Sequence, residues 1–123
     1  MRTYTPDQPI DVLVWDNKKK ASEWLPGRFL SKVSATDRPH RYNVILDDGR
    51  AFNAACPNCV KPRGTMPAVK VMFEDEGYNY TTPVASQITD VEAQKYFVDQ
   101  WFNMGTGDKD NLQKCIKIEF NAE

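Results

Sequence analysis

Two cysteines separated by two residues are the group in this sequence whose type and spacing suggest chemistry most directly. Cys56 and Cys59 stand in the run CPNCVKP, and two thiolates at this spacing can chelate zinc or act as a redox pair. A closed zinc site takes two more ligands, and only Cys115 and His40 remain to supply them. Both lie far away along the chain, so we expect no metal. We interpret the pair as one cysteine in a small core space and one partly exposed.

Basic residues in the first half are the second candidate group. Lys18, Lys19 and Lys20 are consecutive, and Arg28 follows them. Small barrels bind nucleic acid through basic faces of this kind, so a weak nucleic-acid site at these four residues is one alternative. A run of lysines in a loop is more typical of a solvated tip, and the pI of about 5.8 argues against the alternative.

Catalytic groupings are sparse. The chain has one histidine and no Gly-rich phosphate loop, and neither a serine nor a cysteine stands beside a plausible base. Asp47 and Asp48 are adjacent carboxylates, but neighbours on a strand point to opposite faces. We therefore expect no enzyme and no cofactor.

Composition limits the class of protein. The 123 residues are 41% hydrophobic, which is enough for a packed domain. No apolar run approaches the roughly 20 residues of a membrane span, and the N-terminus begins neither a signal nor a transit peptide. Three cysteines, an odd number, favour thiols over a disulfide framework. We expect a cytoplasmic protein that does not contact a membrane.

The first half predicts a set of short strands. After an extended arm over 1–9, alternating apolar residues indicate strands at 10–16, 23–33 and 42–47. Pro26-Gly27 is expected to bend the second of these, and 34–41 is expected to be a polar loop. Asp48-Gly49 is typical of a tight hairpin turn before a strand at 50–54. The run CPNCVKP predicts one short helical turn and a last strand that ends at Pro62.

These elements resemble a known class of small barrel. The order VLVWDN, EWLPGRFLSKV, RYNVILDDGR and CPNCVKP is similar to the five-stranded SH3-like barrels, and most of all to the Tudor and Agenet type. Two features carry the resemblance. One is the acidic hairpin Asp47-Asp48-Gly49 after a strand of the form Tyr-x-Val-x-Leu, and the other is the corner from Pro57 to Val60. The resemblance covers residues 8–62.

The resemblance implies a binding site at one end of the barrel. Tudor-type domains hold a methylated ammonium group in a cage of aromatic rings by cation–π attraction. The matching positions here are Trp15, Trp24 and Tyr42, with Asp47 or its neighbour as a carboxylate. Core packing is the alternative for these rings, and it is the favoured one for Tyr42 and Phe52.

The second half predicts a β-β-α-β unit without a recognised family. Alternation indicates strands at 68–73 and 78–84, with a hairpin between them at Glu76-Gly77. Thr89-x-x-Glu92 fits a capping box, and we expect its helix to run from Asp90 to about Met104. Apolar residues cover an unusually wide arc of this helix, so one side of it is expected to meet another element or another subunit. A final strand is predicted at 112–120.

The sequence therefore predicts an α+β protein in which a barrel at 10–62 and a linker at 63–67 precede a unit at 68–123. We expect the two parts to share a core. The predicted function is a non-enzymatic binding or adaptor module with a protein or peptide ligand at Trp15, Trp24, Tyr42 and Asp47. Two alternatives stay open: self-assembly into a homo-oligomer through the helix 90–104, and weak nucleic-acid binding.

Overall fold

A computed structural model of the chain describes residues 3–35 and 38–122. The protein is a small α+β molecule, made mostly of antiparallel sheets with one α-helix. Its internal contacts divide the chain into two compact units, with the boundary between Thr65 and Met66. No helix in the described ranges has the length and apolar character needed to cross a membrane.

The first unit is a five-stranded antiparallel sheet that curls into a half-barrel. Its strands, in chain order, are β1 (Pro9–Asp16), β2 (Ala21–Ala35), β3 (Arg38–Leu46), β4 (Ala51–Ala55) and β5 (Val60–Pro62). They lie in the order β4-β3-β2-β1-β5. A 3-10 turn at Pro57–Cys59 leads into β5. A strand is present at each predicted place, with β2 and β3 longer than predicted, and the Asp48-Gly49 turn is confirmed.

Aromatic rings fill the concave side of this sheet. Tyr4, Phe29 and Tyr42 are buried with ring centroids 5.3–5.6 Å apart. Around them lie the buried aliphatic residues Ile10, Val12, Val14, Val44, Leu46 and Val60. The prediction of a merely extended arm at 1–9 is thus incomplete, because Tyr4 packs in the core and its hydroxyl donates to the Val60 carbonyl at 3.3 Å.

The second strand differs from its prediction in length and in where it bends. It extends to Ala35 and β3 begins at Arg38, so residues 34, 35 and 38–41 lie in strands and not in the polar loop expected at 34–41. Residues 36 and 37 lie outside the described ranges. Pro26-Gly27 stays in register with β1. The register shifts fall instead between Phe29 and Ser31 and between Val33 and Ala35. Gly27 passes so close to β3 that an added Cβ would lie 2.5 Å from the Ile45 carbonyl oxygen.

The second unit is a four-stranded sheet with one helix. Its elements are β6 (Ala68–Phe73), β7 (Tyr80–Pro83), α1 (Asp90–Phe97), β8 (Trp101–Asn103) and β9 (Leu112–Phe120). The strands lie in the order β7-β6-β9-β8. Each neighbouring pair is antiparallel. A 3-10 turn at Glu76–Tyr78 forms half of the connection between β6 and β7.

The helix starts as predicted but is half as long. Thr89 and Glu92 form the expected capping box. The helix ends at Phe97, because Val98 is extended and Asp99 takes a positive φ of 66°. Trp101–Asn103 then pairs with β9. The wide apolar arc therefore belongs to two elements, a helix and a strand, and the prediction of one helix to Met104 is wrong.

Cys115 is another correction in this unit. Alternation along 112–120 predicts it on the polar face, but the thiol is fully buried. A register irregularity between Met72 and Phe73 shifts the pairing and places Cys115 opposite Phe73. Burial raises the pKa of the Cys115 thiol above its ordinary value, since the thiolate would lose its hydration.

Replacing Gly27 tests the close approach of β2 and β3. Gly27→Ala is expected to lower the free energy of unfolding by about 2 kcal/mol, since the new methyl group meets rigid backbone. Gly77→Ala is the control: Gly77 is exposed, has no positive φ, and its added Cβ would meet only the oxygen of the exposed Asp75 side chain, at 3.3 Å. Urea unfolding measures both. Equal stability of the two variants would contradict the close approach of β2 to β3 at Gly27.

Candidate binding site

Trp15, near the end of β1, is the exposed aromatic residue around which a site can be built. Its side chain is 53% exposed, yet its orientation is held because the indole N–H donates to Asn17 Oδ1 at 2.8 Å. The turn that follows is also ordered by a side chain, since Asp16 Oδ1 accepts from the backbone N–H groups of Lys18 and Lys19. The ring is therefore a fixed apolar surface in water.

A charged depression lies on one side of Trp15. Its volume is about 420 Å³, and two acidic and two basic side chains contribute to its lining. These are Asp16, Glu23, Lys18 and Arg50. The Arg50 guanidinium donates to Asp48 at 2.9 Å, and this hydrogen bond lowers the pKa of the Asp48 carboxyl. The depression thus offers both donors and acceptors without a strong net charge.

A second depression, apolar and of about 300 Å³, also includes Trp15 in its lining. It shares Val14 and Trp15 with the charged depression. The rest of its lining comes from β1, β4 and the 3-10 turn: Val12, Leu13, Phe52, Asn53, Ala55, Cys56 and Cys59. Trp15 therefore borders both a polar recess and an apolar one.

Trp24 and Tyr42 do not join Trp15 at this surface. Trp24 is 5% exposed, and the Lys61 ammonium lies 4.9 Å from its ring centroid. Tyr42 is 1% exposed and packs within the aromatic core. The cage of open rings implied by the Tudor resemblance is therefore wrong for these two residues.

Asp47 and Arg28 lie in a different depression. Both line it together with Asp7 and Gly49, and its volume is about 260 Å³. The Asp47 carboxylate also pairs with the Arg63 guanidinium at 3.4 Å. The four predicted ligand residues thus fall in four places, and only Trp15 lies in the recess that includes Lys18.

The basic residues of the nucleic-acid alternative are also divided. Lys18, Lys19 and Lys20 are exposed in the turn after β1, and the Lys19 ammonium lies 3.5 Å from Glu23. Arg28 lines the separate depression with Asp7 and Asp47. Carboxylates accompany the cations at both places, so neither place presents concentrated positive charge.

Lys61 and Asp11 form a buried ion pair next to Trp24. The Lys61 ammonium is 3.0 Å from Asp11 Oδ2, and the two side chains are 0% and 8% exposed. Asp11 Oδ2 also accepts from the Gly64 N–H at 2.9 Å, and Lys61 donates to the Thr65 carbonyl. Each charge therefore has a second polar partner, which buried charges require.

Cys56 precedes the 3-10 turn, and Cys59 is its last residue. Both are half-buried thiols, and the Arg41 guanidinium donates to Cys56 Sγ. The prediction of one core and one partly exposed cysteine is therefore wrong in detail, since the two are alike in burial. Within residues 3–35 and 38–122, no three or more His, Cys, Asp or Glu side chains are grouped as metal ligands.

The second unit contains an aromatic groove that sequence reasoning missed. It has a volume of about 400 Å³ and lies beside the edge strand β7. Burial raises the pKa of the Tyr80 hydroxyl above its ordinary value. The lining residues are Tyr80, Thr82, Pro83, Val84, Ala85, Ile88, Tyr96, Phe97 and Phe102. The sequence did not indicate that α1 ends at Phe97. Because it does, Phe97 lies on the helix and Phe102 lies on β8.

Comparison with known proteins adds no relative, because no family model, no curated protein and no solved structure matches the chain. The functional argument therefore rests on the geometry of the chain itself.

Removing the buried ammonium tests the role of the ion pair. Lys61→Met keeps an unbranched side chain but leaves the Asp11 carboxylate buried without its cation. We therefore expect the free energy of unfolding to fall by about 3 kcal/mol. Lys19→Met removes an exposed partner of Glu23 and is expected to cost less than about 1 kcal/mol. Chemical denaturation compares the two variants. A Lys61→Met protein as stable as the Lys19→Met protein would contradict a stabilising role of the Asp11–Lys61 ion pair.

Proposed function

We propose that this protein is a non-enzymatic binding module that holds a peptide segment of a partner protein against Trp15. The observation that carries the proposal is an oriented, exposed indole that borders both an apolar and a charged recess. Tryptophan is among the residues that contribute most at protein interfaces. A fixed ring also loses little side-chain entropy on binding, which favours affinity.

The two recesses specify a peptide pattern. The apolar recess accepts an aliphatic or aromatic side chain against Phe52 and Ala55. The other recess presents Asp16 and Glu23 as acceptors and Arg50 as a donor. The ligand we propose therefore carries an apolar residue close to a charged one, so that one side chain enters each recess while the backbone crosses Trp15.

The strand pairing supports an extended ligand. The ladder between β1 and β5 covers Ile10, Asp11 and Val12, whereas β1 continues to Asp16. The last part of β1 therefore runs past the end of β5, at the position of Trp15. A peptide in extended conformation can align with such a strand end and place alternate side chains in pockets on its two sides.

The strand order and the curl of the first sheet support an SH3-like barrel of Tudor type as the scaffold. A multi-ring cage for methylated ammonium is less well supported than a peptide groove, because Trp24 and Tyr42 are buried. The three thiols support a reducing compartment such as the cytoplasm.

Selection from a peptide library tests the proposal. The wild-type chain is expected to enrich peptides with neighbouring apolar and charged residues. Trp15→Ala is expected to weaken the affinity for these peptides roughly 30-fold, as for an interface residue that contributes about 2 kcal/mol to binding. Trp101→Ala removes an equally exposed tryptophan from the second unit and is expected to bind normally. Enriched peptides that bind Trp15→Ala as tightly as the wild type would exclude this site.

Self-assembly is a second candidate, and the β8–β9 hairpin supports it. We propose its outer face as the interface, in place of the helix face predicted at 90–104. Trp101, Leu112 and Ile116 are all more than half exposed there, and β8 is an edge strand. Edge strands with exposed apolar residues favour association.

Sedimentation separates the two candidates. If the hairpin face joins two copies, the wild-type protein sediments as a dimer at micromolar concentration and Trp101→Lys sediments as a monomer. Trp15→Lys, which places the same charge at the other exposed tryptophan, is expected to leave the dimer intact. A wild-type monomer throughout that range would reject self-assembly and leave the peptide site unaffected.

A further inference from the structure

We infer that Cys56 and Cys59 are a reversible dithiol–disulfide pair, so that the wall of the apolar recess is a site of redox modification. The first reason is local geometry. The Cys59 N–H donates to the Cys56 carbonyl at 3.0 Å, which closes a turn in which the first and fourth Cα atoms lie within about 7 Å of each other. A disulfide needs a Cα separation of about 4.4–6.8 Å.

The two side chains also lie at the same depression. Cys56 is the N-cap of the 3-10 turn, with an extended backbone, and Cys59 is the last residue of the turn. Both side chains line the apolar recess. A bond between the two sulfur atoms therefore belongs to the wall of that recess.

Arg41 is the second reason, because it contacts the sulfur of Cys56. Its guanidinium donates to Cys56 Sγ. A guanidinium has donors only, and its hydrogen bond to sulfur becomes a charge-assisted one when the sulfur carries the negative charge. We therefore assign Cys56 as the attacking residue and Cys59 as the resolving residue.

Access is the third reason. Cys56 and Cys59 are half-buried at an open recess, whereas Cys115 is fully buried in the second unit. A small disulfide compound can therefore reach the pair but not Cys115. This contrast supplies an internal control within the same chain.

The reaction is an exchange with a low-molecular-weight disulfide, RSSR. The Cys56 thiolate attacks one sulfur of RSSR, forms a mixed disulfide and releases RS⁻. The Cys59 thiolate then attacks Cys56 Sγ, forms the Cys56–Cys59 bond and releases a second RS⁻. The two released thiolates take up the two protons that the cysteines gave up. The protein loses two electrons and the compound gains two.

Exposure of the full chain to oxidised glutathione tests the inference. After alkylation of the remaining thiols, peptide mass spectrometry is expected to find Cys56 linked to Cys59 and Cys115 alkylated. In Cys59→Ser the mixed disulfide is expected to persist on Cys56, because the resolving thiol is missing. Reduced glutathione is expected to restore both thiols. Alkylation of Cys56 and Cys59 in the oxidised sample would overturn the inference.

Arg41→Gln tests the assigned order of attack. Loss of a charge-assisted hydrogen bond is expected to slow mixed-disulfide formation on Cys56 about tenfold in the Cys59→Ser background. Arg28→Gln, which removes an exposed guanidinium from another depression, is the matched control and is expected to leave the rate unchanged. Equal rates in the two variants would reject Arg41 as the activating group, and circular dichroism verifies that each variant is folded.

Discussion

The buried pair of Asp11 and Lys61 is the constraint on which the first unit depends. Burying two opposite charges costs several kcal/mol per ion unless each finds good partners. Here the carboxylate also accepts from Gly64, and the ammonium lies over the Trp24 ring. Asp11 and Lys61 stand directly opposite each other on β1 and β5. A slip of β5 by one residue would separate them, so the pair fixes the register of the shortest strand in this sheet.

The position of the binding surface follows from that register. The 3-10 turn lies immediately before β5, so whatever fixes Val60–Pro62 also fixes where Cys56 and Cys59 meet β1. The turn forms one wall of the apolar recess, and Val12, Leu13 and Phe52 form others. An ion pair that touches no ligand thus positions the residues proposed to contact one. In some proteins a buried ionic group specifies an arrangement more than it stabilises it, and this pair fits that role.

Local patterns in the sequence predicted the local structure well. Alternation and the Asp48-Gly49 turn were sufficient for β1, β3 and β4, and the capping box at Thr89 was sufficient for the start of α1. These signals involve residues within a few positions of each other. The end of α1 was missed because apolar spacing does not distinguish a long helix from a helix followed by a strand, when both bury one side against the same core.

Long-range partners explain the errors at the candidate site. Trp24 was expected near the surface, but Lys61, 37 positions later in the chain, places its ammonium over the ring. The contact of Arg41 with Cys56 likewise joins residues 15 positions apart. No local pattern in a single sequence indicates such pairings. Trp15 and Trp24 were both predicted as ligand residues, with core packing as the alternative for each, and only the pairing of the strands distinguishes them.

Trp15 and Trp24 show how strand pairing decides exposure. Leu13 is opposite Trp24 and Trp15 is opposite Ser22, and directly opposed side chains share a face, so both indoles belong to the same side of the β1–β2 ladder. Trp24 lies near the part of β1 that β5 covers, where Lys61 reaches it. Trp15 lies beyond the end of β5 and faces a small serine. The same residue type on the same face is therefore structural at one position and available for binding at the other, and the length of β5 makes the difference.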